Sequence, residues 1–216
     1  MNLLFQNKPS TQPQDHFLIQ HPFLEQIEVK TTYPKEPKKD ICALVCHPHP
    51  LYGGNIDHKV ITTLVRTFHQ FNIPTIRFQF RGVGLSKGEH DHGIGEQEDC
   101  EFMIQWLKQK YPSIILSGFS FGGKIAALSS FDQAITNLIL LSPALNIQNH
   151  PIQINKPALL VHSMDDDIVP YALVKEWFLS QNNSHIEFKS LHNIHHFYHG
   201  YLTDLKNIIL SYLSSP

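Results

Sequence analysis

Cysteine is scarce in this chain, and the three present, Cys42, Cys46 and Cys100, form no C-x-x-C pair. Cys42 and Cys46 fall four apart in an apolar run that reads as a strand, about 13 Å end to end, too far for a disulfide. An odd number of thiols without a stapling framework points to a reducing compartment, so the expected location is the cytoplasm. An excess of one charge is also lacking. Seventeen Lys and Arg against nineteen Asp and Glu leave a formal net charge of −2, so no overall field draws the chain to nucleic acid. No apolar run approaches the roughly 20 residues that a membrane helix needs, and no membrane partner is expected. The opening stretch MNLLFQNKPSTQPQ is too short and polar for a secretory signal. Residues 1–15 are expected to form a loosely ordered N-terminal segment of one domain spanning 1–216, a length that buries its own core.

What the chain does contain is alternation of two textures. Polar-alternating stretches at His16–Gln20 and Glu25–Thr32 read as antiparallel edge strands. ICALVC (Ile41–Cys46) is continuously apolar, as a strand covered on both faces must be. Helical spacing follows over Ile56–Phe71, then the strand PTIRFQF, a helix over Ile94–Tyr111, the strand SIILSG and a helix over Phe121–Phe131. LILLS, PALLVHS, a helix near Tyr171–Ser180, HIEFKS and a last helix from about Tyr198 to Leu213 complete the series. Strands alternating with helices predict an α/β domain with a mostly parallel central sheet flanked by helices. In such sheets ligands bind beyond the carboxyl ends of the strands, and the chemistry-bearing motifs here all follow strands.

The stretch GFSFGGKI (Gly118–Ile125) has two readings. As Gly-x-x-x-x-Gly-Lys it approaches a P-loop, but the next residue must be Ser or Thr to hold magnesium and is Ile125. As Gly-x-Ser-x-Gly it is a nucleophile elbow with Ser120 at its apex. A second Gly-x-Ser-x-Gly, GLSKG around Ser86, competes with it. An elbow needs a helix starting at the serine, so that following N–H groups and the helix dipole face a developing oxyanion. Ser120 has FGGKIAALSS after it; Ser86 has loop. Gly122 and Gly123 open that helix poorly unless something is crowded against the turn. RGVGLSKG (Arg81–Gly88) has dinucleotide-like glycines, but no helix follows at once to receive a pyrophosphate.

A serine needs a base, and the base needs an orienting acid. In hydrolase chain order these follow as Asp, then His. MDDDIVP offers Asp165, Asp166 and Asp167 after one strand, and LHNIHHFYHG offers His192, His195, His196 and His199 after another. VCHPHPLYGGNIDHKV, RFQFRGVGLSKGEHDHGIGE and GFSFGG, together covering much of Cys42–Leu202, resemble the bacterial α/β-hydrolase family of small predicted esterases related to dienelactone hydrolases. That resemblance implies the α/β-hydrolase fold and an ester-cleaving serine mechanism. The family's Gly-x-x-Asp-x-x-Val-Pro pattern falls on Asp166, with Ser163 in place of the Gly. Its final His, before two aromatics and His-Gly, falls on His196, with His195 where Asp is common.

The oxyanion hole should use the N–H of Phe121 and one from the loop after ICALVC. Pro48 and Pro50 have no N–H, which leaves His49 or Leu51–Gly53, with His49 favoured. His47 and His49 superficially suggest a metal pair, but no Asp-His follows with suitable spacing. Neither a metal nor a cofactor is expected. Arg77 and Arg81 are expected in internal ion pairs with Glu96 or Asp99. Asn146–Lys156, short and polar, stands where larger hydrolases insert a lid, so an open, shallow pocket is expected. The resulting expectation is a carboxylesterase for small or short-acyl esters, with Ser120, Asp166 and His196 catalytic. A thioesterase, peptidase or acyltransferase would share this machinery, and the competing class is a non-catalytic binding protein on the same fold.

Overall fold

The computed structural model describes residues 14–145 and 152–215. The N-terminal segment expected to be loosely ordered thus lies, up to residue 13, outside the described residues, as do residues 146–151 of the stretch where a lid would insert.

Eight strands form one sheet in the order β1-β2-β4-β3-β5-β6-β7-β8. They are β1 (Gln14–His21), β2 (Glu25–Thr32), β3 (Ile41–Cys46), β4 (Thr75–Phe78), β5 (Ser113–Phe119), β6 (Ile135–Leu141), β7 (Ala158–Ser163) and β8 (Ile186–Leu191). β1 and β2 are antiparallel at one edge, and β3 through β8 run parallel. The helices are α1 (Lys59–His69), α2 (Ile94–Lys108), α3 (Phe121–Leu128), α4 (Tyr171–Leu179) and α5 (Leu202–Ser214).

The two-residue period of the strands divides the core. In β3, Cys42, Leu44 and Cys46 pack with α2, α3 and α4, whereas Ala43 and Val45 face α1 and α5. Both faces are therefore apolar, which is why the strand reads as an unbroken hydrophobic run. This is the α/β-hydrolase fold. Among the described residues no helix intervenes between β6 and β7.

Several element ends differ from the sequence reading. α1 begins at Lys59 rather than Ile56, because His58 caps it, its Nδ1 accepting from the Val60 N–H at 3.3 Å. β4 stops at Phe78, where the chain turns into the loop ahead of α2. α5 begins at Leu202 rather than Tyr198, since Tyr198 and Gly200 both have left-handed backbone (φ 55 and 80) that no α-helix accommodates. The fully buried Tyr198 is held there by its hydroxyl, 2.8 Å from Ser142 Oγ.

Candidate active site

Ser120 sits between β5 and α3 with φ 55 and ψ −119. A non-glycine residue with such angles costs on the order of 1–3 kcal/mol and persists only where its surroundings enforce it. The enforcement is visible. Its N–H donates to Leu141 O at 2.9 Å, and its carbonyl accepts from the Lys124 and Ala144 N–H groups, each at 3.1 Å. A side chain at Gly118 would strike the backbone of Gly122, and one at Gly122 would strike the carbonyls of Cys46 and His47. The crowding expected at the two opening glycines of α3 is thus, at Gly122, the packing of the elbow against the end of β3 and, at Gly123, the close approach of Pro143. The substitution that reads this packing is Gly122→Ala. It forces backbone against backbone, so we expect a loss of roughly 1–3 kcal/mol and a fall of several degrees in Tm, measured by thermal melting. An unchanged Tm would mean that the close approach is absent in solution.

Ser86, the rival serine, is a structural residue. Its Oγ donates to Gln79 O at 2.8 Å and accepts the Glu28 N–H at 2.9 Å, joining the β4 loop to β2. Ile125, which breaks the P-loop pattern, is fully buried in the core. The glycines of Arg81–Gly88 precede no immediate helix, since α2 starts only at Ile94.

The structure separates the acidic and histidine clusters by geometry. Asp166 Oδ2 and Oδ1 lie 2.8 and 3.0 Å from His196 Nδ1. Asp166 Oδ1 also accepts the N–H groups of Val169 and Ile168, at 2.7 and 3.0 Å. Burial pushes the Asp166 carboxyl up, but these bonds outweigh it and hold the group below its ordinary value. Asp165 instead accepts the Asn193 N–H at 2.6 Å, and Asp167 accepts the His196 N–H at 3.2 Å, so both fasten the two loops together. The side chain of His195 is 76% exposed and that of His196 only 2%; His192 and His199 are exposed as well. Ser163, at the position of the family's Gly, ties the β7 and β8 loops together. Its Oγ donates to Ile194 O and accepts the Asp165 N–H.

The loop after β3 lies beside the elbow, with the His49 and Phe121 rings 4.9 Å apart. Phe121 is the first residue of α3, so its N–H has no acceptor in the preceding helical turn. Among the alternatives for the second donor, the Leu51 N–H goes to His49 Nδ1 and the Tyr52 N–H to His49 O. Among the described residues the N–H group of His49 has no protein acceptor, whereas that of Gly53 closes the 3-10 turn Pro50–Tyr52. His47 is a buried strut. Its Nδ1 lies 2.7 Å from Pro48 O, and its Nε2 accepts the Phe80 N–H at 3.0 Å, which places the ring hydrogen on Nδ1. Burial pushes it down to about 4, so it stays neutral. With both nitrogens engaged, His47 cannot pair with His49 around a metal, and no group of three or more metal-ligating side chains is assembled among the described residues.

Ser120, Phe121, His49 and His196 line one cavity of about 410 Å³. A second cleft of about 610 Å³, between the end of β1, α2 and the end of α3, contains none of the residues singled out from the sequence for chemistry. The first cavity also contains residues without a motif of their own: His58, His90, His92 and Lys124, with Ile168, Val169 and Phe197. His58 could have been suspected as a helix cap from its place before Val60. His90 and His92 reach the cavity on the loop ahead of α2, whereas Lys124 is on α3 itself, Ile168 and Val169 follow β7, and Phe197 follows β8. Arg81 fixes that loop through Asp99, with Nη2–Oδ1 at 2.8 Å and Nε–Oδ1 at 3.1 Å, so one expected ion pair is present. Arg77 pairs with Asp57 at 3.1 Å rather than with Glu96 or Asp99. Glu96 instead caps α2, accepting the Gly93 N–H at 2.7 Å and the Asp91 N–H at 3.0 Å.

An α/β sheet with a serine elbow after β5, an acid after β7 and a histidine after β8 defines a hydrolase architecture. No family model matches the sequence. A structure of an α/β serine hydrolase homologue from Coxiella burnetii is 36% identical, with a TM-score of 0.86 over 95% of this chain and all of that one. An α/β serine hydrolase without a lid from Xanthomonas campestris superimposes with a TM-score of 0.86 at 26% identity, over 95% of each chain. An uncharacterized protein of Rickettsia prowazekii is 32% identical over 214 residues, 93% of this chain and 88% of that protein. The chain belongs to the α/β-hydrolase family of serine hydrolases. No helix among the described residues is long and apolar enough to cross a membrane.

Proposed function

We propose that the chain is a carboxylesterase for small or short-acyl esters, acting through Ser120, His196 and Asp166 in the manner of the small esterases that its sequence resembles. The observation that carries this reading is the pinned imidazole of His196, 2.8 Å from a buried Asp166 carboxylate, in the same cavity as a serine on a strained elbow. Asp166 accepts the Nδ1 hydrogen, which leaves Nε2 with a lone pair facing the cavity. Nε2 takes the Ser120 proton as Oγ attacks the ester carbon. The carbonyl oxygen gains the negative charge and is met by the N–H groups of Phe121 and His49. Collapse of the tetrahedral adduct breaks the bond to the alkoxide, which receives the proton from His196 and leaves as alcohol. Water then attacks the acyl-Ser120, giving its proton to His196, and the second collapse returns that proton to Ser120 and releases the acid. No metal or redox group enters this sequence.

The cavity has an apolar wall of Ile168, Val169 and Phe197, of which Ile168 and Phe197 are exposed. Such a short, open wall suits small esters. Labelling with a fluorophosphonate probe tests the reading: intact protein becomes labelled and Ser120→Ala does not. Labelling that persists in the variant removes Ser120 as the nucleophile. Folded wild type that resists the probe would favour a binding protein on the hydrolase fold.

A further inference from the structure

One end of the cavity gathers Lys124 and three histidines. Lys124 sits one turn after Ser120 on α3, and helical side chains lean toward the N-terminus, so its ammonium reaches back over the elbow. Its Nζ lies 5.7 Å from the centre of the Phe121 ring and against Gly93, the N-cap of α2. Around it stand His49, His90 and His92, with the His49 and His90 rings 4.8 Å apart and those of His90 and His92 5.1 Å apart. Among the described residues no carboxylate lines the cavity. Glu96 is fully buried behind His90, whose Nδ1 is 2.7 Å from Glu96 Oε1 without hydrogen-bond alignment. Both Glu96 oxygens already serve the α2 cap. Among the described residues Lys124 makes no ion pair or hydrogen bond through its side chain.

The N-termini of α2 and α3 both point at this end, and a helix N-terminus favours an anion over a cation. An ammonium placed there against only the face of the Phe121 ring, with no carboxylate in contact, is an arrangement that a bound anion would complete. Burial also pushes the Lys124 amine down, with Glu96 acting against it, and burial together with neighbouring His90 lowers His49. The cluster lies on the side of Phe121 and His49, away from the His196 and Phe197 wall. In the mechanism above the leaving alcohol departs beside His196, so the cationic end faces the portion of substrate that stays on Ser120.

Resting on the esterase reading, we propose that the preferred substrates are esters whose acyl portion carries its own anionic group, as in the monoesters of dicarboxylic acids, with Lys124 as its main binding residue and His90 and His92 beside it. Hydrolysis of such a monoester adds water across the ester bond and yields an alcohol and a dicarboxylate.

The test compares p-nitrophenyl monoadipate with its neutral methyl diester counterpart, on wild type, Lys124→Met and Lys124→Arg. The expected result is a kcat/KM advantage for the anionic ester of about tenfold or more. The advantage disappears in Lys124→Met, chiefly through KM, and returns in Lys124→Arg, while the neutral ester changes less than about twofold. Equal effects of Lys124→Met on both esters, or no advantage in wild type, would overturn the proposal. A preference for 4-acetoxybenzoate over its methyl ester, without one for the monoadipate, would overturn the acyl-side placement by putting the anion on the leaving group. Calorimetric binding of monomethyl adipate to Ser120→Ala, and its loss in Ser120→Ala/Lys124→Met, reads the anion site without turnover. Binding there combined with absent fluorophosphonate labelling of wild type would sink the esterase reading and not the anion site; labelling without binding would do the reverse.

Discussion

Ser120→Ala is expected to lower kcat by roughly 10⁴- to 10⁶-fold on any ester that the protein hydrolyses, with KM little changed. The large figure follows from the way the three groups act as one unit: a histidine and an aspartate have no covalent role once the attacking oxygen is gone. What remains is binding and whatever the Phe121 and His49 N–H groups do for attack by water. Stability should not fall with activity. Ser120 Oγ makes no hydrogen bond to the protein among the described residues, whereas the backbone bonds that hold the elbow survive the substitution. A thermal melt alongside the kinetics distinguishes a lost nucleophile from a lost fold. Activity within tenfold of wild type in a folded variant would refute the assignment.

Asp166→Asn is expected to lower kcat by about 10⁴-fold. The carboxylate accepts the Nδ1 hydrogen of His196 through contacts of 2.8 and 3.0 Å. An amide can turn its NH₂ toward Nδ1 instead, which moves the ring hydrogen to Nε2 and removes the lone pair that takes the serine proton. Asp165→Asn and Asp167→Asn serve as controls and should retain activity within about tenfold, because those carboxylates bond backbone N–H groups rather than the imidazole. The same residue has a pH signature. Its folded pKa is depressed below the ordinary 3.8, so it contributes stability that is present above that value and is lost as pH falls through the lower folded one. Wild type should therefore lose more Tm than Asp166→Asn between pH 5 and about pH 3. Identical losses would mean that the carboxylate is not engaged as described.

The edge hairpin, the continuous apolar strands and the alternation of helix with strand were legible because burial on one face or two leaves a direct trace in the period of the residues. The placement of motifs after strands was legible for the same reason. Element ends were less so. Tyr198 reads by spacing as the start of a helix, yet its left-handed backbone is set by a hydroxyl contact to Ser142, 56 positions away in the chain. Arg81 found its expected acid in Asp99, whereas Arg77 found Asp57, since a pairing across a sheet depends on which loops meet.

Taken alone, the residues determined the fold class, the elbow at Ser120 in preference to Ser86, and the need for an acid and a base downstream. These follow from local chemistry: glycines where backbones touch, a helix after one serine and not after the other, and Ile125 where a phosphate loop needs a hydroxyl. Resemblance to a family then pointed to Asp166 and His196 within their clusters. Only the tertiary structure decided how those two carboxylate and imidazole groups meet while their neighbours bind backbone, and that Lys124, without a role in the motif, turns into the cavity beside three histidines from two other loops. Convergence of side chains from separate strand ends has no period in the sequence. It arises when a parallel sheet brings those ends to one rim and packs the loops against each other there.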